Sequence, residues 1–66
     1  MNLTVNGKPR KHKGKATVLA LLQSMHINAG NVAVMVNDEV VNRKKFSSAK
    51  LSGGDRVEIL TFAGGG

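Results

Sequence analysis

The stretch "GGDRVEILTF", Gly53 to Phe62, decides the fold, because it joins a tight turn to a strand whose two faces differ. The "GGD" at its start is typical of a turn, since glycine and aspartate tolerate backbone conformations that other residues avoid. In the strand that follows, Val57 and Ile59 share the face that we assign to the core. Leu60 and Phe62 share the opposite face, which in a domain with one helix is turned to water.

Leu60 and Phe62 could be covered by the rest of the chain or could contact a partner. The irregular crossing that precedes the strand, "NRKKFSSAKLSGGD", is one candidate for the cover. Phe62, however, lies too near the terminus to be well covered. Because large exposed apolar patches mark interaction sites, we predict that Leu60 and Phe62 form part of a docking patch.

The first fifteen residues predict a hairpin. "NLTVN" alternates apolar and polar residues, which places Leu3 and Val5 on one face of a half-buried strand. Asn6-Gly7 is the strongest short signal for a hairpin turn. The basic stretch as far as Lys15 is then a second strand at a sheet edge, where lysine and proline discourage further pairing.

A helix and two further strands follow the hairpin. Thr17 is placed as the N-cap of the helix, and Gly30 is placed to close it in the left-handed conformation. The apolar stripe of the helix recurs every three or four residues: Val18, Leu21, Leu22 and Met25. "VAVMV" predicts a central strand, "NDE" a turn and "VV" the returning strand. The crossing contains one short helical turn near Phe46–Ser48.

This order of elements predicts an α+β fold, the β-grasp or ubiquitin-like arrangement, in which a mixed sheet packs on one main helix. The long crossing allows the last strand to enter the centre of the sheet beside the first. We expect one β-grasp domain over residues 1–63, followed by a flexible glycine tail over residues 64–66.

Composition narrows the class of protein. The chain has 66 residues, no cysteine and a net charge of +6, and aromatic residues make up only 3% of it. We therefore expect an aliphatic core and neither disulfides nor a signal peptide or membrane span, and thus a cytoplasmic monomer. The basic hairpin, Lys8 to Lys15, is either a solvated surface or a contact for an acidic partner such as nucleic acid.

The usual catalytic patterns are absent from the sequence. "GKPRKHKGKA" does not have the spacing of a phosphate-binding loop, and His12 and His26 have no carboxylate near them in sequence, so we expect no metal site. Asp38 and Asp55 lie in predicted turns, which favours structural roles over proton transfer. The chain is therefore expected to be acted on by enzymes and not to be one.

The glycine tail is the remaining candidate for chemistry. Gly64 and Gly65 lack a side chain, so an extended arm of this kind can enter a narrow channel and deliver the carboxylate of Gly66. A carboxylate becomes an electrophile when ATP converts it to an acyl adenylate, which sulfur or an amine can attack. The alternative is a frayed terminus without function.

The chain resembles the ThiS family of sulfur carriers in thiamine biosynthesis. The resemblance covers the whole chain and rests on "MNLTVNGKP", "VAVMVNDEVV" and "LSGGDRVEILTFAGGG". It implies that a ThiF-like enzyme uses Mg-ATP to adenylate Gly66, that a cysteine desulfurase supplies sulfur, and that a ThiG-like thiazole synthase consumes the thiocarboxylate. It also implies a tail at Gly64 and Gly65 and no cofactor bound by the chain itself.

Three alternatives share the fold or the tail. A TGS domain, a β-grasp module of RNA-associated proteins, would suit the charge of +6 through phosphate contacts. However, such domains usually sit inside larger proteins, and no aromatic residue interleaves the basic run to stack bases. A carrier for molybdopterin or tRNA thiolation, or a ubiquitin-like protein modifier, would use the same terminal chemistry. Fold alone does not separate these functions.

Overall fold

The computed structural model describes residues 1–62 and shows a five-stranded mixed sheet with one helix. The elements in chain order are β1 (Asn2–Val5), β2 (Lys8–Lys11), α1 (Val18–Ser24), a 3-10 helix (Ala29–Asn31), β3 (Val32–Val36), β4 (Glu39–Val41), a second 3-10 helix (Arg43–Lys45) and β5 (Arg56–Thr61). The strands lie in the order β2-β1-β5-β3-β4. The last strand is thus central, parallel to β1 and antiparallel to β3, as predicted for a β-grasp fold.

The core lies between the helix and one face of the sheet. It contains every side chain that the sequence assigns to the inner faces of β1 and β5, together with two residues of the crossing. Its buried apolar members are Leu3, Val5, Val18, Leu21, Leu22, Val32, Val34, Phe46, Leu51, Val57 and Ile59. Aliphatic side chains therefore supply most of the apolar area whose burial stabilises the domain.

The first hairpin has the predicted turn but a shorter second strand. Asn6 and Gly7 both have positive φ, 49° and 80°, which is the conformation that an Asn-Gly hairpin turn requires. β2 ends at Lys11, not at Lys15. Directly after Lys11, His12 is buried, and its Nε2 donates a hydrogen bond of 2.7 Å to the carbonyl of Lys15, which curls the chain away from the sheet.

The helix begins as predicted and ends differently. Thr17 is its N-cap, with Oγ1 accepting the N–H of Ala20 at 3.2 Å. The prediction for Gly30 is wrong: the left-handed residue is His26, with φ 58°, whereas Gly30 lies in the 3-10 helix Ala29–Asn31. The early turn brings Ile27 onto the core, and its N–H donates to the carbonyl of Leu22 at 2.9 Å.

The crossing between β4 and β5 runs along the helix. Its helical turn is Arg43–Lys45, three residues before the predicted position, because Phe46 then has to enter the core. The carbonyls of Phe46 and Ala49 accept the N–H groups of Leu19 and Val18 at 2.9 and 3.0 Å. The crossing is therefore attached to the start of the helix, on the covered side of the sheet.

Candidate functional site

The open face of β5 carries the two predicted docking residues. Leu60 and Phe62 are 59% and 53% exposed, and the crossing packs on the other side of the sheet. Within residues 1–62, the alternative that the crossing covers them is therefore wrong. Leu60 lies opposite Ala33 of β3, so a partner that docks here would contact apolar groups of both strands.

The end of β5 is held by the 3-10 helix that precedes β3. The N–H of Phe62 donates to the carbonyl of Asn31 at 2.9 Å, one residue beyond the end of the strand. Asn31 is itself held by the 3-10 helix, in which its N–H donates to the carbonyl of Asn28 at 3.0 Å. The backbone is thus fixed as far as Phe62, so any segment that follows starts from a defined point.

On the other side, Asn6 holds β5 through its side chain. The carboxamide Oδ1 accepts the N–H of Ile59 at 2.7 Å, and Nδ2 donates to the carbonyl of Ile59 at 3.2 Å. Because the backbone turns away at Asn6, its amide side chain takes the place that the next peptide group of β1 would have. The Asn-Gly pair indicates only a turn at Asn6, and nothing in the local pattern indicates a partner 53 positions away.

Replacement of Asn6 by glycine is expected to lower the free energy of unfolding by about 1–3 kcal/mol, because it leaves both backbone groups of Ile59 without their partners. Glycine keeps the positive φ of the turn, so the loss reports the side-chain bonds and not backbone strain. Urea unfolding measures the change. The matched control is Asn28→Gly, which removes an exposed side-chain bond to Gly30; an equal loss in both variants would contradict the bracing role of Asn6.

Asp55 has the structural role in a turn that the sequence predicts. Asp55 accepts hydrogen bonds from the backbone N–H of Ser52 at 2.8 Å and from the side chain of Asn37 at 3.0 Å. Asp38 forms an exposed ion pair with Arg56. Neither carboxylate has the buried position beside a histidine that general acid–base catalysis uses.

The two histidines are the candidates that the sequence offers for metal ligation. Within residues 1–62 no three histidine or acidic side chains come together in a way that could hold a metal ion. His12 is 4% exposed and anchors the chain start as well, since its N–H donates to the carbonyl of Met1 at 2.8 Å. Its burial was not predicted, because a lysine-rich neighbourhood usually indicates a solvated segment.

Lys11 of the basic hairpin lies away from the end of β5. Lys11 pairs with Asn2 at the start of β1, and β1 runs parallel to β5, so Lys11 is at the opposite end of the sheet from Thr61. Among the described residues no lysine forms an ion pair. A nucleic-acid contact by this hairpin stays a prediction.

Gly64, Gly65 and Gly66 lie outside the described residues, as does the predicted domain boundary after residue 63. The structure therefore describes the point from which the tail starts and not the tail itself. No helix within residues 1–62 has the length and apolar character needed to cross a membrane.

Comparison with known proteins gives consistent matches over the whole chain. The family model for the ThiS family matches residues 3–66. The crystal structure of the thiamine biosynthesis protein ThiS from Geobacter metallireducens is 43% identical, covers both chains completely and superposes with a TM-score of 0.83. The sulfur carrier protein ThiS of Bacillus subtilis is 34% identical over 97% of this chain and 98% of its own.

A larger protein also contains a similar region. A thiazole synthase from Paramagnetospirillum magneticum is 36% identical over the whole of this chain, which spans only 20% of that relative's length. The family model and the relatives of similar length, together with the shared fold, agree with one another. The chain therefore belongs to the ThiS family, the small sulfur carrier proteins of thiamine biosynthesis.

Proposed function

We propose that the α-carboxylate of Gly66 is the group that carries sulfur. A ThiF-like enzyme would join it to the α-phosphorus of Mg-ATP, with release of pyrophosphate. A sulfide equivalent from a cysteine desulfurase would then attack the acyl carbonyl, AMP would leave, and a thiocarboxylate would remain. Where the donor is a persulfide, a second thiol must cleave the S–S bond of the acyl intermediate. The ATP requirement also favours a cytoplasmic site of action.

The observation that carries this proposal is the arrangement at the end of β5. The backbone is fixed through Phe62, and the neighbouring side chains on the open face are apolar and exposed. A carrier that must place a terminal group in another enzyme's active site needs such a fixed starting point beside a docking surface. The four residues from 63 to 66 reach about 14 Å when extended.

A ThiG-like thiazole synthase is the proposed acceptor of the sulfur. The relative named thiazole synthase contains, in one chain, a region similar to the whole of this protein. Joining a carrier to the enzyme that uses it raises their effective concentration, so this combination supports a functional pairing. The ThiF-like enzyme and the desulfurase are proposed from the chemistry that the carboxylate needs.

The direct experiment is to incubate the protein with its cognate adenylating enzyme, Mg-ATP, a desulfurase and cysteine. Intact-mass spectrometry should show a product in which one oxygen is replaced by sulfur, and fragmentation should place the sulfur in the last peptide. Omission of ATP should prevent the change. Sulfur found elsewhere in the chain, or no sulfur with an enzyme that is active on its own carrier, would contradict the proposal.

Replacement of Phe62 or Leu60 by alanine is expected to weaken binding to the adenylating enzyme by about 5- to 30-fold each, the range for central apolar contacts of an interface. Both side chains are exposed, so the stability of the free protein should change little. Isothermal titration calorimetry measures the affinity. Val40→Ala is the matched control, because Val40 is 75% exposed on the far edge strand β4. Equal losses in all three variants would contradict docking centred on the end of β5.

A further inference from the structure

The backbone groups of β5 point alternately to its two neighbours. Asn37 N–H donates to the carbonyl of Arg56 and Phe62 N–H to that of Asn31, so the even-numbered residues of β5 face β3. The odd-numbered residues face β1: the carbonyl of Val57 accepts from Asn6 N–H at 2.9 Å, and Ile59 pairs with the Asn6 side chain. Thr61 is the next residue on that edge.

The neighbour on the β1 side stops before Thr61. β1 ends at Val5, the chain turns at Asn6-Gly7, and the carboxamide of Asn6 reaches only as far as Ile59. Thr61 lies opposite Val32 in a non-hydrogen-bonded pair of the β3–β5 ladder, and no other hydrogen bond joins its N–H or carbonyl to any of residues 1–62. One side of β5, an inner strand of the sheet, thus has no hydrogen-bonded neighbour at Thr61, directly before the tail. We call this open position the half-edge.

Two other positions at the margins of the sheet are satisfied or protected. The carbonyl of Val32 extends past the end of β4, and the guanidinium of Arg43 donates to it at 3.4 Å. The outer edge of β2 contains Pro9, which has no N–H, and is flanked by lysines. At Thr61 no side chain of the described residues caps the backbone as Arg43 does. The outer edge of β4 also lacks a neighbouring strand, but only Thr61 lies directly before the tail, so this is the edge whose extension bears on the tail.

We propose that the half-edge at Thr61 is where a partner adds an extended segment to the sheet, and that this partner is the adenylating enzyme. The inference rests on the proposed function. Strand addition uses backbone hydrogen bonds for affinity and side-chain pockets for register. Here the added strand would lie beside the exposed side chains of Leu60 and Phe62, and would continue the docking surface formed by them.

The added strand would affect the reaction by fixing the direction in which the chain leaves β5. Within residues 1–62, the end of β5 is held from one side, by β3 and, beyond the strand, by the bond from Phe62 to Asn31 of the 3-10 helix. A second strand on the opposite side would hold Thr61 between two neighbours and fix the direction in which the chain continues. Fixing that direction favours delivery of the carboxylate over other orientations of the arm.

The test compares Thr61→Pro with Thr61→Ala. Proline removes the free N–H but no hydrogen bond within residues 1–62, and alanine removes only the hydroxyl and methyl of the side chain. We expect kcat/KM for ATP-dependent pyrophosphate release to fall about five- to tenfold in Thr61→Pro, as for one lost hydrogen bond, and less than about twofold in Thr61→Ala. An ester in place of the 60–61 peptide bond, introduced by semisynthesis, should match the proline variant and excludes an effect of ring strain.

Amide hydrogen exchange supplies a second readout. The Thr61 amide should exchange fast in the free protein and slowly in the complex with the adenylating enzyme. The edge proposal is overturned if the proline, ester and alanine variants are adenylated at the same rate as the wild-type protein and the Thr61 amide still exchanges fast in the complex. In that case the proposed function stands. If the wild-type protein is not adenylated at all, the proposed function fails, and the choice of this enzyme as the partner fails with it.

Discussion

Deletion of Gly66 is expected to abolish thiocarboxylate formation. In a protein that ends at Gly66, the deletion moves the reactive carboxylate back along the arm by about 3.3–3.6 Å. A misplacement of about 1 Å can already lower a rate by about 100-fold, so the rate should fall by at least that factor. Intact-mass spectrometry after incubation with the adenylating enzyme, Mg-ATP and a sulfur donor measures the loss.

The control for this deletion is a change at a glycine outside the tail. A Cβ at Gly53 would meet no atom within 4 Å, so Gly53→Ala should fold normally and should gain sulfur at the wild-type rate. The chain shortened at Gly66 should also retain its wild-type stability, because the core lies within residues 3–59. If the shortened chain gains sulfur at a rate within tenfold of the wild-type rate, Gly66 does not carry the reactive carboxylate.

Replacement of Leu21 by alanine is expected to remove most of the protein's free energy of unfolding at 25 °C. Leu21 is fully buried between helix and sheet, and removal of such a side chain costs about 2–5 kcal/mol. A domain of this size has only about 3–5 kcal/mol from its core. Circular dichroism in a urea titration should show a transition shifted to low urea or already passed in buffer.

Leu60→Ala is the matched control, since it is the same chemical change at an exposed position of the sheet. Its free energy of unfolding should stay within about 0.5 kcal/mol of the wild-type value. The pair separates the two uses of leucine in this fold, one for stability and one for docking. Similar destabilisation in both variants would mean that the open face of β5 is not solvent-exposed in the free protein.

The sequence predicted the elements of the site better than their connections. The exposed positions of Leu60 and Phe62 followed from alternation along one strand and are confirmed. The brace from Asn6 to Ile59 could not be predicted, because an Asn-Gly turn needs only its positive φ and gives no sign of what the carboxamide contacts. The helix end at His26 was missed for a similar reason, since packing of Ile27 on the core overrode the preference for glycine.

Interactions between near neighbours therefore determined the turns, the N-cap, the strand faces and the order of the elements, since all depend on residues a few positions apart. The tertiary structure alone decided which backbone groups of β5 are satisfied. Thr61 is open because β1, far away in sequence, turns at Asn6 and reaches no further than Ile59. A hydrogen-bond donor or acceptor is free or paired according to what folding places beside it, and no local pattern contains that information.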